Sequence, residues 1–173
     1  MRHLRRGGAY LRVADPAWDD PLDGSYAARA GGRWNSPDSF LVVYLCRSTA
    51  VARANVYRLL ADQPYGPEDL EPASAPVLVT AEIAADDHVD AVTARGLASV
   101  GLPRTYPLDA RGDTVDRERC EAIGQTAWDA GEPGIACRSA APTAPHRGEE
   151  LAWFERGIPL TAESTQPFDQ WFW

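Results

Sequence analysis

Gly31-Gly32-Arg33-Trp34-Asn35-Ser36-Pro37 is followed, three residues later, by Leu41-Val42-Val43-Tyr44-Leu45. The first stretch reads as a tight turn that presents an arginine, an aromatic ring and an asparagine. The second is a short apolar run with β-branched residues, bounded by turn signals, and reads as a buried strand. Ser48 or Thr49 then caps a helix to about Ala61, with Ala52, Val56, Leu59 and Leu60 on one stripe. A polar turn, a buried strand and an amphipathic helix in this order place chemistry-bearing side chains on a rigid frame, and the rest of the chain is read outward from them.

Upstream, Tyr10 to Val13 reads as a strand closed by Asp15-Pro16, and Pro16 to Pro37 as a loop broken by Trp18 and Tyr26. Loops this long in small domains are often functional. Downstream, residues 62–76 form a Pro-rich connection, Val77 to Ile83 a clear strand, and Asp90 to Val100 a short helix. Leu102 to Pro107 is a loop in which Tyr106 is a packing residue. From about Asp116 to Ala130 the pattern is helical, with Cys120, Ile123, Ala127 and Trp128 on one stripe and Gly131 ending it. Gly134 to Cys137 and Leu151 to Phe154 read as two late strands. Strands and helices that do not strictly alternate predict an α+β domain, with a mixed or split sheet flanked by helices. One compact domain is expected over 1–173, with its core at about 9–156 and an aromatic tail at 157–173.

The composition narrows the function. The chain has 173 residues and a formal charge of −8, which disfavours direct nucleic-acid binding and docking on an anionic membrane. All 17 basic residues are arginine, so a Walker-type lysine, a Schiff-base lysine and a lysine base are excluded. Phosphate recognition must come from Arg or backbone N–H groups. Three cysteines without CxxC spacing suit a reducing compartment. His3, His88 and His146 match no zinc pattern, so no metal is expected. The basic N-terminus lacks the apolar core of a signal peptide and no run is long enough to span a bilayer, so a soluble, cytoplasmic protein is expected.

The order of Gly31-Gly32-Arg33-Trp34-Asn35, a strand bearing Tyr44, an Ala-rich helix and a late Gly134-Ile135-Ala136-Cys137-Arg138-Ser139 resembles the RES-domain family. These are the toxin partners of bacterial toxin–antitoxin pairs, with a fold related to ADP-ribosyltransferases. The resemblance runs from roughly Tyr10 to Phe154. It implies NAD+ as substrate, without a metal, and cleavage of the nicotinamide–ribose bond. Phosphate, water or a protein acceptor would then take the ADP-ribosyl group. It also implies a helix-turn-helix antitoxin of the Xre type as partner, which would carry any DNA binding.

By this resemblance Arg33 grips the pyrophosphate, Trp34 and Tyr44 offer flat faces to nicotinamide or adenine, and Ser139 orients the arginine or the ribose. Asn35 holds the turn. The family glutamate stands eleven residues past the tyrosine, where this chain has Asn55. Asparagine keeps the shape and the hydrogen bonding but brings no charge to the oxocarbenium-like transition state of glycosidic cleavage. Glu149 and Glu150 are the candidates to replace that carboxylate, with Glu150 the one carried forward as catalytic. The alternative is a nucleotide-binding domain that has lost turnover. Arg47, Arg53 and Arg138 offer a second phosphate contact at most, since arginines on a helix face or at a strand end are mostly solvated charge. The terminal Phe168-Asp169-Gln170-Trp171-Phe172-Trp173 is too apolar to dangle in water, and one use for it is a contact in a homo-oligomer.

Overall fold

A computed structural model describes residues 1–146, 148–157 and 159–173. Its elements are β1 (His3–Ala14), α1 (Ser25–Ala30), β2 (Val42–Cys46), α2 (Thr49–Leu59), β3 (Val77–Ala91), α3 (Ala94–Ser99), α4 (Arg117–Asp129), β4 (Gly134–Arg138), β5 (Glu149–Phe154), β6 (Ala162–Gln166) and α5 (Phe168–Trp171). The sheet order is β1-β2-β5-β4-β3-β6, and β1 also pairs with β3. Five strands therefore close on one another in a ring, with β6 added outside on β3. The β3–β4 pairing is parallel, and the other pairings among the described residues are antiparallel. This is the expected α+β architecture with a mixed sheet.

Alternation along the strands divides the apolar side chains between two faces. Tyr10, Val43, Leu45, Val79, Ala81, Ile83, Ala136 and Leu151 form one buried cluster, filling the inside of the ring. Val42, Val89, Ile135, Cys137, Ala152 and Phe154 face the other way and meet Leu97 of α3 with Cys120 and Ala127 of α4. A third cluster joins Val51, Ala52 and Val56 of α2 to Leu78 and to Phe168, Trp171 and Phe172 of the tail. Arg53 fixes that tail by donating to the carbonyls of Trp171 and Trp173 at 2.9 and 2.8 Å.

Several elements differ from the sequence reading. β1 begins at His3, not Tyr10, and β3 runs to Ala91, through the residues expected to open a helix. The two extensions stabilise each other: Arg5 and Arg6 stand opposite Asp87 and Asp86, so opposite charges face across the ladder. The helix begins only at Ala94, where the Thr93 side chain accepts from the Gly96 amide at 3.0 Å. α1 lies inside the segment read as loop, and β6 inside the tail. The core is accordingly wider than 9–156. Arg47 and Arg138 donate to backbone carbonyls, Arg47 to Gly7 and Ala9 and Arg138 to Val92, Arg104 and Tyr106, which makes both structural.

α4 sits close to the backbone of the Gly31–Pro37 turn. A Cβ at Gly124 would collide with the carbonyl of Trp34. Gly124→Ala is therefore expected to lower the unfolding free energy by about 1–3 kcal/mol, despite alanine's better helix propensity. Urea denaturation is the measurement.

Candidate active site

The Gly31–Pro37 turn is pinned to β2 by one hydroxyl. Tyr44 Oη donates to Asn35 Oδ1 and accepts from the Trp34 amide, both at 2.8 Å. Asn35 Nδ2 donates to the Ala27 carbonyl at 2.7 Å, which ties the turn to α1 as well. Gly31 adopts φ +72°, and a Cβ on Gly32 would strike the Tyr44 ring. Burial pushes the Tyr44 hydroxyl well above its ordinary pKa, so it stays protonated and keeps its donor role.

A cavity of about 440 Å³ opens beside this turn, lined among others by Arg12, Trp18, Tyr26, Arg33, Tyr44, Asn55, Arg58, Arg117 and Glu150. Its size falls in the usual range for small-molecule sites. Of the lining residues, four are arginines and Glu150 is the one carboxylate. Arg33 is half-buried, donates to the Val115 carbonyl at 3.2 Å and has no carboxylate partner among the described residues. Arg117 is held by Glu121 at 2.7 Å.

Three residues from distant parts of the chain meet at the carboxylate. Ser139 Oγ and Asn55 Nδ2 donate to the same oxygen, Glu150 Oε1, at 2.7 and 2.9 Å. The carboxylate only accepts, so Asn55 must turn its NH2 toward it. Asn55 Nδ2 also reaches Cys46 Sγ at 3.3 Å. Burial, and then the nearby Glu150, push the Cys46 thiol up to about 12, so it is a neutral neighbour of the site. Asn55 is 9% exposed, yet its Oδ1 accepts no hydrogen bond. Glu150 Oε2 likewise has no partner among the described residues. Glu150 Oε2 is thus the acceptor left open at the cavity wall, whereas Asn55 Oδ1 is sealed from solvent, and an unpaired buried acceptor costs about 1–3 kcal/mol.

The structure sorts the sequence candidates. Arg33, Tyr44, Asn55 and Glu150 share the cavity. Trp34 is 1% exposed, with its indole N–H directed at Cys137 Sγ at 3.3 Å, so its ring is a core element and offers no face to a ligand. Ser139 holds Glu150 rather than the arginine or the ribose expected from the resemblance. Glu149 points to the other face of β5 and is paired with Arg6 at 2.5 Å, which leaves it no place in the cavity. Arg12, Arg58, Arg117, Trp18 and Tyr26 escaped the sequence reading. They share no spacing, and only the lack of lysine marked arginine as the sole source of positive charge. Among the described residues no group of His, Cys, Asp and Glu could hold a metal ion, and no helix is long and apolar enough to cross a membrane.

A family model described as RES domain matches residues 9–172. The chain belongs to the RES-domain family. Proteins of Mycobacterium tuberculosis and Mycobacterium bovis named NAD(+) phosphorylase MbcT are each 33% identical to it over 109 residues. That match covers 63% of this chain and 55% of theirs, so the chain spans about half the length of these relatives. The crystal structure of the M. tuberculosis MbcT–MbcA toxin–antitoxin complex has a TM-score of 0.78 at 23% identity, covering 98% of this chain and 91% of that one. This second likeness is one of fold.

Replacing Tyr44 by Phe strands the Trp34 amide and Asn35 Oδ1. Tyr44→Phe is expected to cost about 1–3 kcal/mol of stability. Thermal melting checks this, with the exposed Tyr57→Phe as a control that leaves the midpoint unchanged.

Proposed function

We propose that this RES-domain protein cleaves the nicotinamide–ribose bond of NAD+ and passes the ADP-ribosyl group to inorganic phosphate. The observation that carries the reading is Glu150, the one carboxylate lining an arginine-lined cavity, held through Oε1 by Asn55 and Ser139 with Oε2 left without a partner among the described residues. A ribose hydroxyl is the donor that oxygen lacks. As the C1″–N bond breaks, its electron pair leaves with neutral nicotinamide, and positive charge develops on the ribosyl carbon. Glu150, oriented by two neutral donors, faces that developing charge. A phosphate oxygen then forms the new bond to C1″, giving ADP-ribose 1″-phosphate and releasing a proton. Arg33, Arg58 and Arg117 offer charge for the pyrophosphate and the attacking phosphate. Phosphorolysis, rather than hydrolysis or transfer to a protein, is favoured by this excess of arginines and by the name of the mycobacterial relatives.

In this reading the charge that the family keeps on the helix after the tyrosine sits on β5 instead, and Asn55 retains only the positioning role. The chain would act in the cytoplasm as the toxin of a pair, neutralised by a helix-turn-helix antitoxin. A second reading, binding of NAD+ without turnover, is favoured by Asn55 standing at the family's glutamate position.

Purified protein incubated with NAD+ is expected to release nicotinamide, faster with inorganic phosphate. Glu150→Gln should lower kcat by about 100-fold or more. Moving the carboxylate back, in Asn55→Glu with Glu150→Asn, is expected to recover part of that loss. Nicotinamide release is followed by chromatography, and no release at high enzyme concentration, with NAD+ bound in calorimetry, would establish the second reading.

A further inference from the structure

Two large aromatic residues lie exposed on the cavity wall, outside the machinery described so far. Trp18 is 36% exposed and Tyr26 57%, and their ring centroids are 5.7 Å apart at an interplanar angle of 33°. Both line the same cavity as Glu150, Asn55 and Arg33. Exposed single aromatics are ordinary on a protein surface, but a tilted pair at the wall of a nucleotide-sized cavity is a stacking surface.

The segment that carries them is fixed. Asp15 holds its turn twice, with Oδ1 accepting from the Ala17 amide at 2.9 Å and its carbonyl from the Trp18 amide at 3.1 Å. Leu22 plugs into the cluster inside the ring, and Asp20 and Asp23 accept from the Leu22 and Ser25 amides. Behind Trp18 stands Arg12, 6% exposed, its guanidinium carbon 5.2 Å from the indole centroid and its Nη1 donating to the Asp23 carbonyl at 3.1 Å. A guanidinium over an indole is attractive, so Arg12 sets the position of the Trp18 ring.

A dinucleotide brings two bases. Nicotinamide is bonded to the reacting carbon and must lie beside Glu150, where Tyr44 is the aromatic residue of the wall. The other base needs a surface of its own. We propose that Trp18 and Tyr26 form the platform on which the adenine of the dinucleotide stacks, with Arg12 as the positioning residue for Trp18. This inference rests on the reading of the cavity as an NAD+ site. The platform gives the cavity a direction and a preference for the whole dinucleotide over its nicotinamide mononucleotide half.

The test compares nicotinamide release from NAD+ and from nicotinamide mononucleotide, which lacks the adenylate. Trp18→Ala and Tyr26→Ala are each expected to lower kcat/KM for NAD+ by about tenfold, the scale of one lost base–aromatic stack, mostly through KM. With the mononucleotide, kcat/KM should be unchanged. Arg12→Lys should weaken NAD+ use in the native background and do nothing further in Trp18→Ala, because its effect passes through the indole. Calorimetry with AMP alone is expected to show binding to the native protein that Trp18→Ala weakens about tenfold. Equal losses with both substrates, no loss with either, or absence of AMP binding to the native protein would overturn the platform. Should the native protein release no nicotinamide at all, the proposed reaction fails, and the AMP titration still decides for or against the adenine site.

Discussion

The Tyr44 hydroxyl fastens a loop to a strand, and the geometry of the cavity follows from that bond. It gives one hydrogen bond to Asn35 and takes one from the Trp34 backbone, so the turn bearing Arg33 is clamped from both sides. The clamp works because Gly32 leaves room for the phenol ring and because α4 approaches Trp34 at Gly124 without a side chain between them. Trp34 then serves the core, and Arg33, one residue before it, is turned to the cavity. A loop held this way gives a guanidinium a fixed place without the cost of ordering it when a ligand arrives.

The second constraint is the alternation of β5. Glu149 and Glu150 are adjacent in sequence and opposite in the sheet. Glu149 neutralises Arg6, while Glu150 stands in the cavity under Ser139 and Asn55. A slip of one residue in the register would exchange their fates. The register is held by pairing on both sides, with Cys46 and Cys137 each opposite Glu150. The placement of the one carboxylate among the cavity's lining residues is therefore a property of the sheet.

Much of the fold was readable because its elements bury one face. β2, the first half of β3, α2, α4, β4 and β5 carry apolar residues at the period of their structure. The parts that escaped have no such signal. The first half of β1 is Arg- and Gly-rich, and the second half of β3 is Ala-Ala-Asp-Asp-His; each is a strand because the other completes its ladder and its charges. β6 is exposed along its whole length and is held on β3 by backbone pairing alone, which leaves no trace in side-chain pattern. α1 has six residues, too few for a period to emerge. Around the cavity, Arg33, Tyr44, Asn55 and Ser139 could be named as candidates from their order in the chain and Glu149-Glu150 as an unresolved pair, whereas the fate of Trp34 turned on packing that order does not encode.

The sequence by itself determined the α+β class, the family motifs and a positive chemistry made of arginine alone, because these depend on residue type and spacing. Tertiary structure decided which of two adjacent glutamates enters the cavity, that Ser139 serves Glu150, and that Trp18 and Tyr26 share a wall with them. Those outcomes depend on strand register and on contacts between residues up to about a hundred positions apart, such as Asn55 with Glu150. No local pattern encodes a meeting at that separation; only the closed ring of strands brings it about.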